Sequence, residues 1–238
     1  MTESVIHILR SDASQDVEPG FTGFTVPHDR DMTVLAALLW IQDHLDGTLA
    51  FRYACRGAVC GSCAMAINGE LGLACRTHLR DLTKEIFLEP LPNLPILKDL
   101  VVDMTSFWEK WARIKPYLMD CDDTPAQERL QPPDDLAQIE QFVNCMLCAC
   151  CYSACPIQER NPEYMGPAAL AALARFEYDS RDRRDQEVRR QVAQGSGIWG
   201  CRMAFRCMDV CPRTVRPADG IASLRRHALK DMVTRRKP

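Results

Sequence analysis

Residues 145–156 read CMLCACCYSACP, and this stretch decides the fold of the second half of the chain. The spacing C-x2-C-x2-C-x3-C-P within it is formed by Cys145, Cys148, Cys151, Cys155 and Pro156. Thirteen of the 238 residues are cysteine, an odd number that cannot pair completely in disulfides. The N-terminus has no basic segment and apolar core of a signal peptide, so we expect residence inside the cell, where thiols bind metals more often than they form disulfides.

The same spacing is typical of modules with two iron–sulfur clusters, in which the fourth cysteine of the run binds the other cluster. Cys150 falls outside this register and is predicted to be a small buried side chain. Residues 201–212, CRMAFRCMDVCP, follow the same template. They match it at the first, third and fourth ligand positions, and Ala204 occupies the second.

Applying this crossover rule predicts two ligand sets. The first set would hold a 4Fe-4S cluster and consists of Cys145, Cys148, Cys151 and Cys211. The second consists of Cys155, Cys201 and Cys207, because the methyl group of Ala204 cannot bind iron. Three thiolates most simply hold a 3Fe-4S cluster. The alternative is a 4Fe-4S cluster with one labile iron, as in a hydratase, but few groups are placed to bind a hydroxyacid there.

A third cysteine group lies earlier in the chain, in CRGAVCGSC and beyond. Its members, spaced C-x4-C-x2-C with a distant fourth thiol, are Cys55, Cys60, Cys63 and Cys75. This spacing predicts a 2Fe-2S cluster, and Gly57 and Gly61 would let the backbone approach it closely. The alternatives are a structural zinc site or unrelated buried thiols. Cys121, in the acidic stretch DCDD, is interpreted as a free surface or half-buried thiol, and no histidine lies inside a cysteine run.

The first hundred residues have the pattern of strands around one helix. Strands are predicted at 4–9, 23–26 and 86–88, a hairpin at 64–75 around Asn68-Gly69, and a helix at 33–46. Asp31 or Thr33 would cap that helix, its buried face would include Leu45, and Gly47 would end it.

Pro90, Pro92 and Pro95 are predicted to form a linker, after which helical patterns replace strand patterns. The helices are expected at 106–118, 134–144, 167–178, 181–194 and 218–233, the fourth being a solvated surface helix. We therefore predict an α+β protein with a domain at 1–105 that contains a small mixed sheet and a helical domain at 106–238.

Composition and the absence of several motifs limit the classes of function that the chain can have. With 47% hydrophobic residues and a longest apolar run of 34–41, the chain is predicted to be globular and not to span a membrane. No G-x-G-x-x-G motif, P-loop or Ser/His/Asp arrangement is present, so single-electron transfer is favoured over hydride chemistry. The basic residues near the C-terminus indicate either a solvated face or a site for an anionic membrane or acidic partner.

Longer motifs carry a family resemblance. The stretches SCAMAINGELGLACRT, LKDLVVDMTSFWEKWARIKPYL and NPEYMGPAALAALARFEYDSRD, together with the two cysteine runs, resemble the iron–sulfur subunit of the succinate dehydrogenase and fumarate reductase family over nearly the whole chain. The resemblance implies a β-grasp plant-type ferredoxin domain at 1–105 and an all-α, bacterial-ferredoxin-like domain at 106–238.

The family resemblance also implies partners. One is a flavoprotein with covalently bound FAD that interconverts succinate and fumarate, and the other is a membrane anchor that binds a quinone such as menaquinone and whose haem b content stays open. The chain would be peripheral, at the cytoplasmic face of the inner membrane, with no nucleic-acid partner. Electrons would pass between FAD, the 2Fe-2S, 4Fe-4S and 3Fe-4S clusters, and the quinone.

NPEYMGPAA, SRD and GIW resemble fumarate reductases more than succinate dehydrogenases. Many ubiquinone-linked relatives have Trp where this chain has Arg160, which favours a low-potential quinol, so quinol:fumarate reductase is predicted. Succinate dehydrogenase, or a relay or soluble carrier for another flavoenzyme such as a glycolate or heterodisulfide oxidoreductase, remain alternatives. Pro156, Arg202 and Arg225 are candidates for the quinone approach. Their alternative roles are to end the ligand loop and to offset negative charge.

Overall fold

The structure is a computed structural model that describes residues 2–15, 18–119, 127–184 and 186–235. The chain forms two compact units. The first unit comprises Met1–Met104 and Met146–Ala154, and the second comprises Thr105–Cys145 and Cys155–Pro238. Part of the second cysteine group thus belongs to the first unit.

A five-stranded mixed sheet forms the centre of the first unit. Its strands are β1 (Thr2–Arg10), β2 (Gly20–His28), β3 (Ala64–Ile67), β4 (Glu70–Leu73) and β5 (Glu85–Glu89). They lie in the order β2-β1-β5-β3-β4, with β1 parallel to β5 and the other neighbours antiparallel. The predicted mixed sheet is confirmed.

Helix α1 (Val34–His44) contacts β2 and begins at a side-chain cap. The hydroxyl oxygen of Thr33 accepts a hydrogen bond from the backbone N–H of Ala36 at 3.2 Å, so Thr33 rather than Asp31 is the N-cap. The prediction that Leu45 belongs to the buried face is wrong: the helix ends at His44, and Leu45 is 51% exposed.

The Asn68-Gly69 pair connects β3 and β4 as predicted. Both residues have positive φ, 51° and 80°, as a type I′ turn requires. The Asn68 side chain adds a long-range contact, because its carbonyl oxygen accepts a hydrogen bond from the N–H of Phe87 in β5 at 2.7 Å. This hairpin places Cys75 two residues beyond the end of β4.

Strand structure continues beyond the predicted linker, which is a correction. Strands β6 (Ile96–Lys98) and β7 (Val101–Val102) form a small antiparallel sheet that is part of the first unit. Between them, the buried carboxylate of Asp99 accepts hydrogen bonds from the guanidinium of Arg10 and from the backbone N–H of Ala50, both at 2.9 Å. These contacts hold residues 96–102 against β1 and the chain after α1.

The second unit is helical. Its helices are α2 (Thr105–Arg113), α3 (Pro133–Val143), α5 (Pro167–Glu177), α6 (Gln186–Ala193), α7 (Arg206–Asp209) and α8 (Pro217–Arg235), whereas the short helix α4 (Cys150–Ser153) belongs to the first unit. Helix α5 contacts both α3 and α8, and residues from Pro167 to Ala174 are all buried. Across the described ranges, no helix is both long enough and apolar enough to cross a bilayer.

The predicted solvated helix at 181–194 is also corrected. Helix α6 begins at Gln186, and its Val188 and Val192 are each only 1% exposed. Just before it, Arg184 and Asp182 form an ion pair whose side chains are 3% and 1% exposed. The high charge of this stretch therefore reflects buried ion pairs as well as solvent exposure.

Candidate metal centres

The first cysteine group lies in the loop that precedes β3 and at the end of the β3–β4 hairpin. Cys55 and Cys60 are exposed, Cys63 is buried and Cys75 is intermediate. The backbone N–H of Ala74 donates to the carbonyl of Cys63 at 3.1 Å, so the hairpin brings the distant fourth thiol beside the loop. Burial, with smaller contributions from the neighbouring thiols of Cys75 and Cys60, raises the pKa of Cys63 to about 12.

Backbone N–H groups converge on the sulfur atoms of this loop. The Cys55 sulfur accepts hydrogen bonds from the N–H groups of Gly57, Val59 and Cys60 at 3.3–3.4 Å. The N–H of Cys55 and the hydroxyl of Ser62 lower the pKa of the Cys60 thiol to about 6. Because a thiolate is the form that binds metal, these donors prepare the loop for an anionic metal centre.

The second cysteine group includes helix α4. Cys150 is fully buried, as predicted for a residue outside the ligand register. It also has a contact that the spacing did not predict, because its side chain hydrogen-bonds to Cys148 and thereby lowers the pKa of that thiol to about 7.

The third cysteine group repeats the backbone of the second at an offset of 56 residues. Leu147 and Ala149 have φ values of 59° and 64°, and Met203 and Phe205, 56 positions later, have 52° and 59°. A four-residue helix follows in each case, α4 at Cys150–Ser153 and α7 at Arg206–Asp209. At this offset Ala204 corresponds to Cys148.

In the second unit, the thiols of Cys155 and Cys201 both act on the thiol of Cys207. Burial raises the pKa of Cys207 to about 12, with further contributions from Cys201 and Cys155. The buried phenol of Tyr164 also has a raised pKa, first because of burial and then because of these same three thiols. The structure thus brings together the thiols predicted to hold a 3Fe-4S cluster, and the identity of the cluster stays a prediction.

The four thiols of the predicted 4Fe-4S set do not all belong to one unit. Cys145 and Cys211 pack against the hydrophobic core of the second unit, whereas Cys148 and Cys151 belong to the first unit. The assignment of these four thiols to one cluster rests on their spacing and stays a prediction.

None of the twelve described cysteines forms a disulfide, and the thirteenth, Cys121, lies outside the described residues. Within the described ranges, no three Cys, His, Asp or Glu side chains form a group suited to a single metal ion.

Backbone conformation supports anionic centres at all three groups. Eleven described residues other than glycine have positive φ, and six of them lie in the cysteine loops: Arg56, Ala58, Leu147, Ala149, Met203 and Phe205. In each loop the two positions are separated by one residue, a pattern that turns successive N–H groups towards one point and creates an anion-binding nest. Such strain is retained where a bound group requires it. The loops therefore fit iron–sulfur clusters, whose thiolate ligands make them anionic.

The three residues predicted near a quinone have different surroundings. Pro156 and Arg202 are exposed. Arg225 is half-buried, and its guanidinium donates to the backbone carbonyls of Ile198, Trp199 and Cys201 at 2.7–3.0 Å. Arg225 thus holds the backbone that carries Cys201.

We expect Arg225→Ala to lower the free energy of unfolding by about 2–4 kcal/mol, because three carbonyls lose a charged donor. Arg226→Ala, at an exposed neighbouring position, is the matched control and should cost at most about 0.5 kcal/mol. Thermal unfolding and iron content of the purified complex measure both effects. A higher KM for quinol with unchanged unfolding temperature and iron content would instead favour a direct quinone contact.

A buried polar pair, which the cysteine spacing does not indicate, is formed by Lys110 and Gln158, 8% and 6% exposed. The ammonium group of Lys110 donates to the side-chain oxygen of Gln158 at 2.8 Å. The sequence contains one indication that Lys110 is buried. Its neighbours Phe107 and Ile114 recur with it at helical spacing, which places the lysine on the buried side of α2.

Comparison with known families finds one iron–sulfur domain in each half of the chain. Residues 5–109 match a model described as a 2Fe-2S iron–sulfur cluster binding domain. Residues 141–215 match a 4Fe-4S dicluster domain. With the sheet and helices above, these matches confirm the predicted fold class, a β-grasp plant-type ferredoxin domain followed by a helical two-cluster domain.

Relatives that align with most of the chain are also found. The chain is 39% identical to the fumarate reductase iron–sulfur subunit of Mycobacterium tuberculosis, over 98% of this chain and 97% of the relative. It is 39% identical to the succinate dehydrogenase iron–sulfur subunit of Coxiella burnetii, over 77% of this chain and 78% of the relative. Among solved structures, a chain of the Mycobacterium smegmatis Sdh1 complex in the apo form matches with a TM-score of 0.85 and 25% identity, covering 99% and 97% of the two chains.

Proposed function

This chain belongs to the iron–sulfur subunits of the succinate dehydrogenase and fumarate reductase family, and we propose that it serves as the electron relay of a membrane-bound quinol:fumarate reductase. The family assignment makes the chain part of an oxidoreductase complex. The direction of the reaction and the partners are part of the proposal.

The proposed division of labour places a 2Fe-2S cluster in domain 1–105 and the 4Fe-4S and 3Fe-4S clusters in domain 106–238. Bound clusters accept and release one electron at a time. The chain's own contribution is to hold the thiolates and to direct N–H groups at them. The carrying observation is that each of the three cysteine loops contains two residues with positive φ, with N–H groups donating to cysteine sulfur in the first and third loops.

These clusters would be held by the ligand sets predicted from spacing. They are Cys55, Cys60, Cys63 and Cys75 for 2Fe-2S, Cys145, Cys148, Cys151 and Cys211 for 4Fe-4S, and Cys155, Cys201 and Cys207 for 3Fe-4S. Iron and sulfide analysis of the isolated complex should give nine irons for these three clusters. EPR of the air-oxidised complex should contain a three-iron signal, and four irons at that site without the signal would contradict the assignment.

Two observations favour fumarate reduction. The fumarate reductase relative is 39% identical over 98% of the chain, whereas a succinate dehydrogenase relative that aligns with a similar share, 95%, is 35% identical. Arg160, which stands where many ubiquinone-linked relatives have Trp, is exposed. A low-potential quinol such as menaquinol would suit the proposed direction.

The partners in this proposal are an FAD-containing flavoprotein, which carries out the C–H chemistry, and a membrane anchor that binds the quinone and could carry haem b. The chain would sit on the anchor at the cytoplasmic face of the membrane. Co-purification with a flavin-containing subunit and a membrane protein tests this arrangement. Recovery of the chain alone and monomeric from detergent-free extract would favour a soluble carrier.

Steady-state assays of the whole complex test the direction. We expect fumarate reduction by a menaquinol analogue to be faster than reduction of a ubiquinone analogue by succinate. A strong excess of the second reaction would identify the complex as a succinate dehydrogenase and leave the relay function intact.

A further inference from the structure

The buried pair of Lys110 and Gln158 links helix α2 to the chain just after Cys155. Both residues belong to the second unit, and both are more than nine-tenths buried. A buried ammonium group is costly unless hydrogen bonds and a nearby negative charge compensate for its lost hydration. The pair therefore has to be explained by what surrounds it.

Lys110 determines how the Gln158 amide is turned. An ammonium group can only donate hydrogen bonds, so the amide atom that faces it at 2.8 Å must be the oxygen, Oε1. The amide nitrogen, Nε2, consequently points away from Lys110. That nitrogen is buried and has no hydrogen-bond partner among the described residues.

An unsatisfied buried amide donor is uncommon in native proteins and indicates a missing partner. Leaving it unpaired costs about 1–3 kcal/mol. The missing partner must be a hydrogen-bond acceptor, because the NH2 group only donates.

Cys155, a ligand predicted for the third cluster, lies three residues before Gln158. The backbone N–H of Gln158 donates to the carbonyl of Cys155 at 3.2 Å. The Gln158 side chain, with Lys110 bound to it, therefore belongs to the turn of chain that begins at Cys155.

We propose that the side-chain amide of Gln158 donates a hydrogen bond to a sulfur of the cluster held by Cys155, Cys201 and Cys207, and that Lys110 is the positioning residue that turns the amide towards it. This inference rests on the proposed function, since it needs a cluster at that site. The hydrogen bond stabilises the more negative, reduced form, so the pair favours acceptance of an electron by the last cluster of the relay.

The test is a redox titration of the three-iron EPR signal in the intact complex. We expect Gln158→Met, which keeps the length of the side chain but has no donor, to lower the equilibrium constant for cluster reduction about tenfold. This corresponds to a fall of about 59 mV in the one-electron reduction potential. Lys110→Met should also lower this equilibrium constant. Arg113→Gln, which removes an exposed charge from the same helix, is the matched control and should leave the titration unchanged.

A second measurement separates hydrogen bonding from charge. Pulsed EPR after exchange into D2O should detect the exchangeable hydrogens of backbone N–H groups near the cluster and, in addition, one from the Gln158 amide. This additional coupling should be lost in Gln158→Met and weakened in Lys110→Met. If Gln158→Met fails to assemble, Gln158→Glu provides a variant of the same shape that retains the contact with Lys110 and lacks the donor.

The outcomes distinguish the two levels of the proposal. A three-iron signal whose potential and proton coupling are the same in the original protein and the Gln158 variants would overturn the hydrogen bond and leave the relay function standing. Absence of any cluster signal from the original complex would overturn both. Normal coupling in Lys110→Met would remove the positioning role of the lysine.

Discussion

Replacing Ala204 by cysteine should convert the third cluster from 3Fe-4S to 4Fe-4S. Ala204 corresponds to Cys148 at the constant offset of 56 residues, and the residues on either side of each position share the same positive φ. The new thiol would therefore leave the backbone in the direction from which Cys148 is predicted to bind its cluster. A fourth thiolate adds negative charge, so the potential of the cluster should fall and quinol oxidation should slow.

The measurement is iron content together with EPR of the oxidised complex. We expect Ala204→Cys to lose the three-iron signal and to gain one iron per complex. Ala204→Val, which has a branched side chain without sulfur at this exposed position, is the control and should retain the signal. Persistence of the three-iron signal in Ala204→Cys would mean that the two cysteine runs are not equivalent at this position.

Substitution of Gly61 should be the most damaging single methyl addition in the first unit. A Cβ atom there would lie 2.8 Å from Cβ and 2.9 Å from Cα of Cys148, and 3.0 Å from the carbonyl oxygen of Met146. The φ of Gly61 is +73°, which disfavours any L side chain. Strain of about 1–2 kcal/mol and overpacking of about 1–3 kcal/mol together predict that Gly61→Ala costs about 2–5 kcal/mol.

Gly69 provides a matched control for this prediction. Its φ is +80°, but a Cβ atom there would meet nothing within 4 Å. Gly69→Ala should therefore show the backbone strain alone, about 1–2 kcal/mol. Thermal unfolding and iron content of the complex measure both variants, and equal losses in the two would show that the contact with Cys148 is unimportant. The atoms that the new methyl group would meet belong to Cys148 and Met146, both in the second cysteine group. Gly61→Ala should therefore also reduce cluster content.

Local features of the fold could be predicted because their causes lie within a few residues. The Asn68-Gly69 turn depends on two residues that tolerate positive φ, and the start of α1 depends on the Thr33 hydroxyl. Predictions failed where distant contacts intervened. Residues 96–102 form strands because buried Asp99 is held by Arg10 and Ala50, which are far away in the sequence.

Candidate site residues followed the same rule. The registers of the three cysteine groups could be read from spacing, since a loop of fixed length can present its thiols to a cluster in few ways. The contact of Cys150 with Cys148 and the burial of Lys110 against Gln158 could not be read in this way. Each depends on which side chains meet after folding.

The amino-acid sequence by itself determined the three cysteine registers, the absence of a thiol at position 204 and the order of a sheet domain before a helical one, because spacing, residue chemistry and periodicity are local properties. The tertiary structure alone decided that residues 146–154 belong to the first unit, that Gly61 lies against Cys148 and that the amide of Gln158 is turned by Lys110. Burial and long-range contact depend on the meeting of distant segments, which no local pattern specifies.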